Sequence, residues 1–135
     1  MNTFRHILLV EDSPDDIVLA KRAFRDQQML EALSVVEDGE AALAFLRRQP
    51  PYTQAPIPEL ILMDLGLPKK DGRAVLEELK ADPVLSKIPV LIMTSSRAQE
   101  DLVQSLNLKV DGYLPKPVTV EQLITVIRRV KPAGA

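Results

Sequence analysis

Five short apolar runs alternating with five amphipathic segments predict an α/β domain, a parallel sheet with helices on both faces. Three observations carry this. The run Leu60-Ile61-Leu62-Met63 is continuously apolar, as in a strand buried on both sides. The intervening segments carry their apolar residues at helical spacing, and capping or turn residues mark where one pattern gives way to the other. Finally, 135 residues with 46% hydrophobic content suffice for one domain with a real core, which the 4% aromatic content makes mainly aliphatic.

Ile7 to Val10 is the first strand, followed by Glu11-Asp12-Ser13-Pro14-Asp15-Asp16. Ser13 reads as an N-cap with Pro14 at the first helical position, and Asp15 and Asp16 suit the positive end of the helix dipole. Ile17, Leu19, Ala20, Ala23 and Phe24 form this helix's apolar face, which is expected to end near Met29 or Leu30. Leu33 to Val36 is the second strand, and Asp38-Gly39 turns into a helix carrying Ala41, Ala42, Leu43, Phe45 and Leu46. Pro50, Pro51, Pro56 and Pro58 exclude regular structure from residues 48–58, a stretch too short for a linker and so a surface loop.

The central strand, Leu60 to Asp64, breaks at Gly66 and Pro68. Asp71-Gly72 opens a third helix with Val75, Leu76 and Leu79 inward, and Asp82-Pro83 ends it. Ile88 to Met93 is the fourth strand, leading into Thr94-Ser95-Ser96. Ser96 with Gln99 makes a capping-box pattern for a fourth helix over roughly residues 97–106. Val110 to Leu114 supplies a short fifth strand, then Pro115-Lys116-Pro117. Thr119 with Gln122 repeats the capping-box pattern for a last helix through Leu123, Ile124, Val126, Ile127 and Val130, and residues 131–135 read as a tail. Such a series is most economically a flavodoxin-like doubly wound (βα)5 sandwich, with strand order 2-1-3-4-5 and its switch point beside the first strand.

Composition narrows the function. A formal net charge of −2 gives no support to nucleic-acid or membrane-surface binding, and no apolar run reaches membrane-span or signal-peptide length, so the cytoplasm is expected. Without cysteine there is neither disulfide nor thiol chemistry, and the single histidine, His6, rules out a multi-histidine metal site.

In the expected topology the first and third strands are neighbours, which brings Glu11, Asp12 and Asp64 together at one rim. Three carboxylates so close repel unless a cation or proton intervenes. All are hard oxygen donors with no soft donor nearby, pointing to Mg²⁺ or Mn²⁺ rather than zinc. Glu11 and Asp12 alone would serve equally as acids at a helix start; Asp64 at the matching strand end shifts the balance. Lys116 alone would read as a solvated loop lysine and Thr94 as a cap hydroxyl. At the ends of the fifth and fourth strands, however, they share the acids' rim, where an ammonium and a hydroxyl would meet a phosphoryl group carried on Asp64.

The order Leu-Val-Glu-Asp at 9–12, Met-Asp-Leu-Gly-Leu-Pro at 63–68 with Asp71-Gly72, Met-Thr-Ser at 93–95 and Tyr-Leu-Pro-Lys-Pro at 113–117 resembles the receiver domains of two-component response regulators, over about residues 5–130. The resemblance implies that Asp64 accepts a phosphoryl group from a sensor histidine kinase. It implies Mg²⁺ held by Asp12, Asp64 and the Gly66 backbone carbonyl, with Glu11 acting through water. Lys116 would neutralise phosphoryl charge, Thr94 and Tyr113 would be the switch residues, and the Lys116–Pro117 bond would be cis. No enzymatic activity beyond the protein's own phosphorylation and dephosphorylation is implied.

Two positions depart from the commonest receiver pattern. Gly66 replaces a bulkier, often polar residue, and Ser95 stands where alanine or glycine is frequent; both bear on the lifetime of the phosphorylated state. With no room for an output domain after Val130, residues 1–135 are expected to be a single stand-alone receiver that signals by protein contact to an unidentified downstream protein. The proline-rich loop with Asp64-Leu65-Gly66-Leu67-Pro68 further resembles the stand-alone regulators paired with bacterial phytochromes. That group often dimerises through the face of helix four, strand five and helix five, here bearing Tyr113, Leu123 and Ile127. The alternatives are a receiver-like binding module that is never phosphorylated, a Mg²⁺-dependent phosphatase, and a nucleotide or flavin binder. The phosphatase reading lacks a second acid, since Asp64-Leu65-Gly66 is not Asp-x-Asp; the nucleotide reading lacks a glycine-rich phosphate loop.

Overall fold

The computed structural model describes residues 4–67, 69–94, 101, 104, 110–116 and 118–130. Its strands are β1 (Ile7–Val10), β2 (Leu33–Val36), β3 (Leu60–Asp64), β4 (Val90–Thr94) and β5 (Gly112–Pro115). Helices α1 (Pro14–Asp26), α2 (Gly39–Leu46) and α3 (Gly72–Ala81) follow the first three strands, and a C-terminal helix spans Val120–Arg129. All strand pairs are parallel, and the order is β2-β1-β3-β4-β5, as the sequence predicts.

Strand periodicity divides the core into two layers. Leu8, Val10, Ile61, Met63, Val90 and Ile92 point to one face, where they pack against Leu43, Leu46, Val75, Leu76 and Leu79 of α2 and α3. The alternate residues Ile7, Leu9, Leu60, Leu62, Leu91 and Met93 meet Phe24 of α1 and Leu123 and Ile127 of the C-terminal helix. Continuous apolar runs are thus what a doubly covered sheet demands. Leu123 and Ile127 are committed to this core, while Tyr113 is half-buried against the α2–α3 layer.

The helices begin where side-chain oxygens cap them. Ser13 accepts the Asp16 N–H, Asp38 the Ala41 N–H and Asp71 the Ala74 N–H, while Thr119 and Gln122 form the predicted capping box.

Some boundaries differ from expectation. α1 stops at Asp26 because Gln28 takes a left-handed backbone (φ 58°), so Met29 donates back to the Phe24 carbonyl, and Leu30–Ala32 form a short 3₁₀ turn. β4 begins at Val90 rather than Ile88: Leu85–Lys87 is another 3₁₀ turn and Pro89 has no N–H to give. Asp111 clamps the starts of β4 and β5, its carboxylate accepting the Val90 N–H (2.9 Å) and its own N–H bonding the Val90 carbonyl (2.8 Å), which sets β5 to start at Gly112.

Residues 48–58 are irregular, as four prolines require; Arg48 Nε ties the loop by donating to the Ala55 carbonyl, and the Pro50–Pro51 bond is cis. The fourth helix with its Ser96–Gln99 cap, Pro68, Ser95, the Lys116–Pro117 bond and the tail lie outside the described residues, apart from Asp101 and Gln104, which are helical.

Candidate functional site

β1 and β3 are paired with Val10 opposite Met63, so the acids that follow emerge together at the C-terminal rim of the sheet. Glu11 is 1% exposed. Its Oε2 accepts the N–H groups of Asp12 (3.0 Å) and Ser13 (3.2 Å), folding the chain from strand into helix. Its Oε1 lies 2.7 Å from Lys116 Nζ. Burial pushes the Glu11 carboxyl above its usual range against the pull of the Lys116 ammonium and the Ser13 amide, and the charge of Asp64 adds to the rise.

Asp64, nearly buried at the end of β3, accepts the Gly66 N–H on Oδ1 (3.2 Å) and faces Lys116 Nζ with Oδ2 (3.2 Å). Asp12 is exposed beside them, and Glu11, Asp12 and Asp64 each offer a carboxylate oxygen within 4.8 Å of the others. Asp64 also shares in the strand ladder opposite Met93.

Thr94 is buried at the end of β4, opposite Pro115, and its carbonyl accepts the Lys116 N–H (3.0 Å). This backbone bond is why two residues 22 positions apart, 116 − 94, end at the same height on the rim. Tyr113 lies opposite Ile92, three residues before the lysine.

The Lys116 ammonium is the hub. Besides Glu11 and Asp64 it meets Asp16 Oδ2 at 3.0 Å; it donates to Asp16 and Asp64 and is ion-paired with Glu11. Burial works to lower its pKa; the contacts with Glu11 and Asp16 and the charges of Asp64 and Glu11 outweigh burial and hold it above the ordinary lysine value. It is a fixed cation throughout the physiological range. The sequence reading did not place Asp16 in the site. Its only signal there is the Ser13 cap, which puts Asp16 in the first helical turn on the rim side.

Two glycines hold the loop after Asp64 in place. A Cβ on Gly72 would stand 2.5 Å from the Asp64 carbonyl oxygen and 2.6 Å from Leu65 Cα; glycine instead lets its N–H reach the Leu65 carbonyl at 2.8 Å. A Cβ on Gly39 would overlap the Lys70 carbonyl, so the start of α2 buttresses the other side of the loop. Lys69 there is left-handed (φ 65°) and pairs with Asp38 at 3.6 Å, while Lys70 pairs with Glu78.

The donor set fits a hard divalent cation. Three carboxylates converge, the chain has no cysteine, and His6 sits just before β1, at the opposite end of that strand from Glu11. The buried Oε1 of Glu11 accepts no hydrogen bond, and the Asp64 charge beside it adds to the raised Glu11 pKa; a bound cation would relieve both.

Residues 7–128 match the response regulator receiver domain. Response regulator Rcp1 of Synechocystis sp. is 42% identical over 125 residues, covering 93% of this chain and 85% of Rcp1. The Mn²⁺-bound form of Rcp1 superposes with a TM-score of 0.78, over 93% of this chain and 90% of that one. The phosphorylated cyanobacterial phytochrome response regulator RcpA is similar at 40% identity and TM-score 0.79, covering 93% and 89% of the two chains. The bacteriophytochrome response regulator AtBRR is similar at 40% identity and TM-score 0.84, covering 94% and 92%.

Proposed function

Because the chain belongs to the response regulator receiver domain family, we propose that it is a phosphorelay switch whose phosphoacceptor is Asp64. The observation that carries this is a single constellation: a nearly buried aspartate beside two further acids, with Lys116 Nζ 3.2 Å from its Oδ2.

The reaction is an in-line exchange. An oxygen of Asp64 attacks the phosphorus of a kinase phosphohistidine; the new P–O bond forms as the P–N bond breaks, and the imidazole leaves with the electron pair. The product is an acyl phosphate on Asp64. Lys116 donates to the phosphoryl oxygens, over which negative charge is spread in the transition state. Glu11, buried and anchored by the Asp12 and Ser13 amides, fixes the ammonium's direction. Glu11, Asp12, Asp64 and the Gly66 carbonyl would hold Mg²⁺ or Mn²⁺, which supplies charge neutralisation of the transferring phosphoryl group when bound. The Thr94 hydroxyl turns toward the new phosphoryl group and the Tyr113 ring follows inward, relaying the change to the β5 face.

The likeness to Rcp1, RcpA and AtBRR supports a phytochrome-type sensor histidine kinase as donor. A single receiver domain acting in the cytoplasm through protein contact, with homodimerisation at the face of β5 and the C-terminal helix, completes the proposal. Since Leu123 and Ile127 serve the core, such a dimer would use the outward Glu121, Gln122 and Thr125 of that helix.

Intact mass after incubation with acetyl phosphate tests the switch. The expected result is a phosphoryl-sized gain that needs Mg²⁺ and disappears in Asp64→Asn. No gain, even by rapid quench, contradicts the assignment.

A further inference from the structure

We propose that Asp16 is a positioning residue that competes with the phosphoryl group for Lys116, restraining phosphorylation until it is displaced. The inference rests on the reading of Asp64 as acceptor. The Lys116 ammonium hydrogen-bonds Asp16 at 3.0 Å and Asp64 at 3.2 Å, and it is ion-paired with Glu11 Oε1 at 2.7 Å without donating to it. A lysine held toward Asp16 on one side is drawn away from the phosphoryl oxygens that arrive on Asp64.

The three partners are unequal. Glu11 is 1% exposed, so releasing it strands a buried charge. Asp64 is where the phosphoryl group itself arrives. The Asp16 side chain is 31% exposed and reaches water on release. It also lies in the first turn of α1, with its own N–H on the Ser13 cap, where the helix dipole stabilises a carboxylate with no cation beside it. Asp16 is the partner that leaves most cheaply. It stands outside the cluster of Glu11, Asp12 and Asp64, so its release leaves the metal ligands intact.

Asp16 thus acts in both directions. Before phosphorylation it holds the ammonium toward α1 and adds negative charge near an anionic donor. Afterwards its carboxylate, still within reach, pulls the lysine back and shortens the life of the acyl phosphate.

The test measures the initial rate of phosphoryl uptake from subsaturating acetyl phosphate with Mg²⁺, and the first-order loss once the donor is removed, both by intact mass. Asp16→Asn is compared with Asp16→Glu and with Asp15→Asn, which removes the same charge from an exposed neighbour absent from the lysine's partners. Asp16→Asn should raise uptake and slow loss, changing the ratio of the two rates about three- to tenfold, the scale of one partly exposed ion pair plus its charge. Asp16→Glu should return toward wild type. The effect should persist at 0.5 M salt, where a diffuse charge effect such as that of Asp15→Asn is screened. Uptake and loss unchanged or opposite in Asp16→Asn overturn the inference while leaving Asp64 in place; so does an equal effect from Asp15→Asn. Wild-type protein that takes up no phosphoryl group overturns both readings.

Discussion

Gly72→Ala adds one methyl group and should disable the site from behind. The new Cβ would lie 2.5 Å from the Asp64 carbonyl oxygen and 2.6 Å from Leu65 Cα, both backbone atoms that no rotamer change can remove. Restoring ordinary carbon contact requires α3 and the strand end to part by about 1 Å. Overpacking of this kind costs about 1–3 kcal/mol, and the gain from a less flexible unfolded chain returns about 0.5–1 kcal/mol. On the middle of these ranges the net loss is about 1 kcal/mol, which lowers Tm by roughly 3–5 °C for a chain of this size. The displacement also breaks the Gly72 N–H bond to Leu65 that fixes the turn after Asp64. Because a misplacement of about 1 Å can slow a reaction by about a hundredfold, uptake from acetyl phosphate should fall at least about tenfold. Differential scanning calorimetry and intact-mass kinetics on the variant, beside exposed Arg73→Ala, give both numbers. A variant with wild-type Tm refutes the packing argument, and one that is destabilised yet phosphorylated at the normal rate refutes the link from α3 to the acceptor.

Other perturbations read the same constellation. Lys116→Met should abolish rapid uptake and cost about 3 kcal/mol at pH 7.5 by leaving Glu11 buried without its cation. Because Lys116 works to lower the Glu11 pKa, its loss raises that pKa further; the deficit is full above the variant's Glu11 pKa and shrinks as pH falls and the carboxyl protonates, so urea titrations at pH 7.5 and 5 should show the gap narrowing. For Glu78, hydrogen bonding to Lys70 lowers the pKa, aided by Arg47, so its contribution is present above the ordinary glutamate range and lost as pH falls through the lowered value. Glu78→Gln should therefore lower Tm by roughly 1–2 °C at pH 7, consistent with a pair about a third exposed, and by nothing measurable in acid. Saturating Mg²⁺ should raise Tm in wild type, by about 2.7 kcal/mol of stabilisation at a hundred times Kd, and much less in Asp12→Asn; an equal rise in both would move the metal away from this cluster.

Much of this architecture is legible in the chain because the sheet is covered on both sides. Leu60-Ile61-Leu62-Met63 has no polar alternation to misread, and the caps at Ser13, Asp38, Asp71 and Thr119 announce their helices. Where reading fell short, the deciding contact is distant or has no local residue code. Gln28 ends α1 by adopting a conformation that glycine usually signals, while Met29 and Leu30 continue the apolar pattern beyond the stop. The start of β4 depends on Asp111, 21 residues later. In the site, strand ends place Glu11, Asp12, Asp64, Thr94 and Lys116 on one rim once the topology is known. Asp16 was hidden because its partner lies 100 residues away, and a carboxylate at a helix start already had a sufficient explanation in the dipole.

The central claim is that the phosphoryl group resides on Asp64 itself. Borohydride reduction of the freshly phosphorylated protein converts an acyl phosphate of aspartate to homoserine, which peptide mass mapping locates. The account predicts homoserine at position 64 alone, dependent on Mg²⁺ during phosphorylation. Homoserine at Asp12 or Asp16, or phosphate recovered on a serine or threonine hydroxyl, would contradict it.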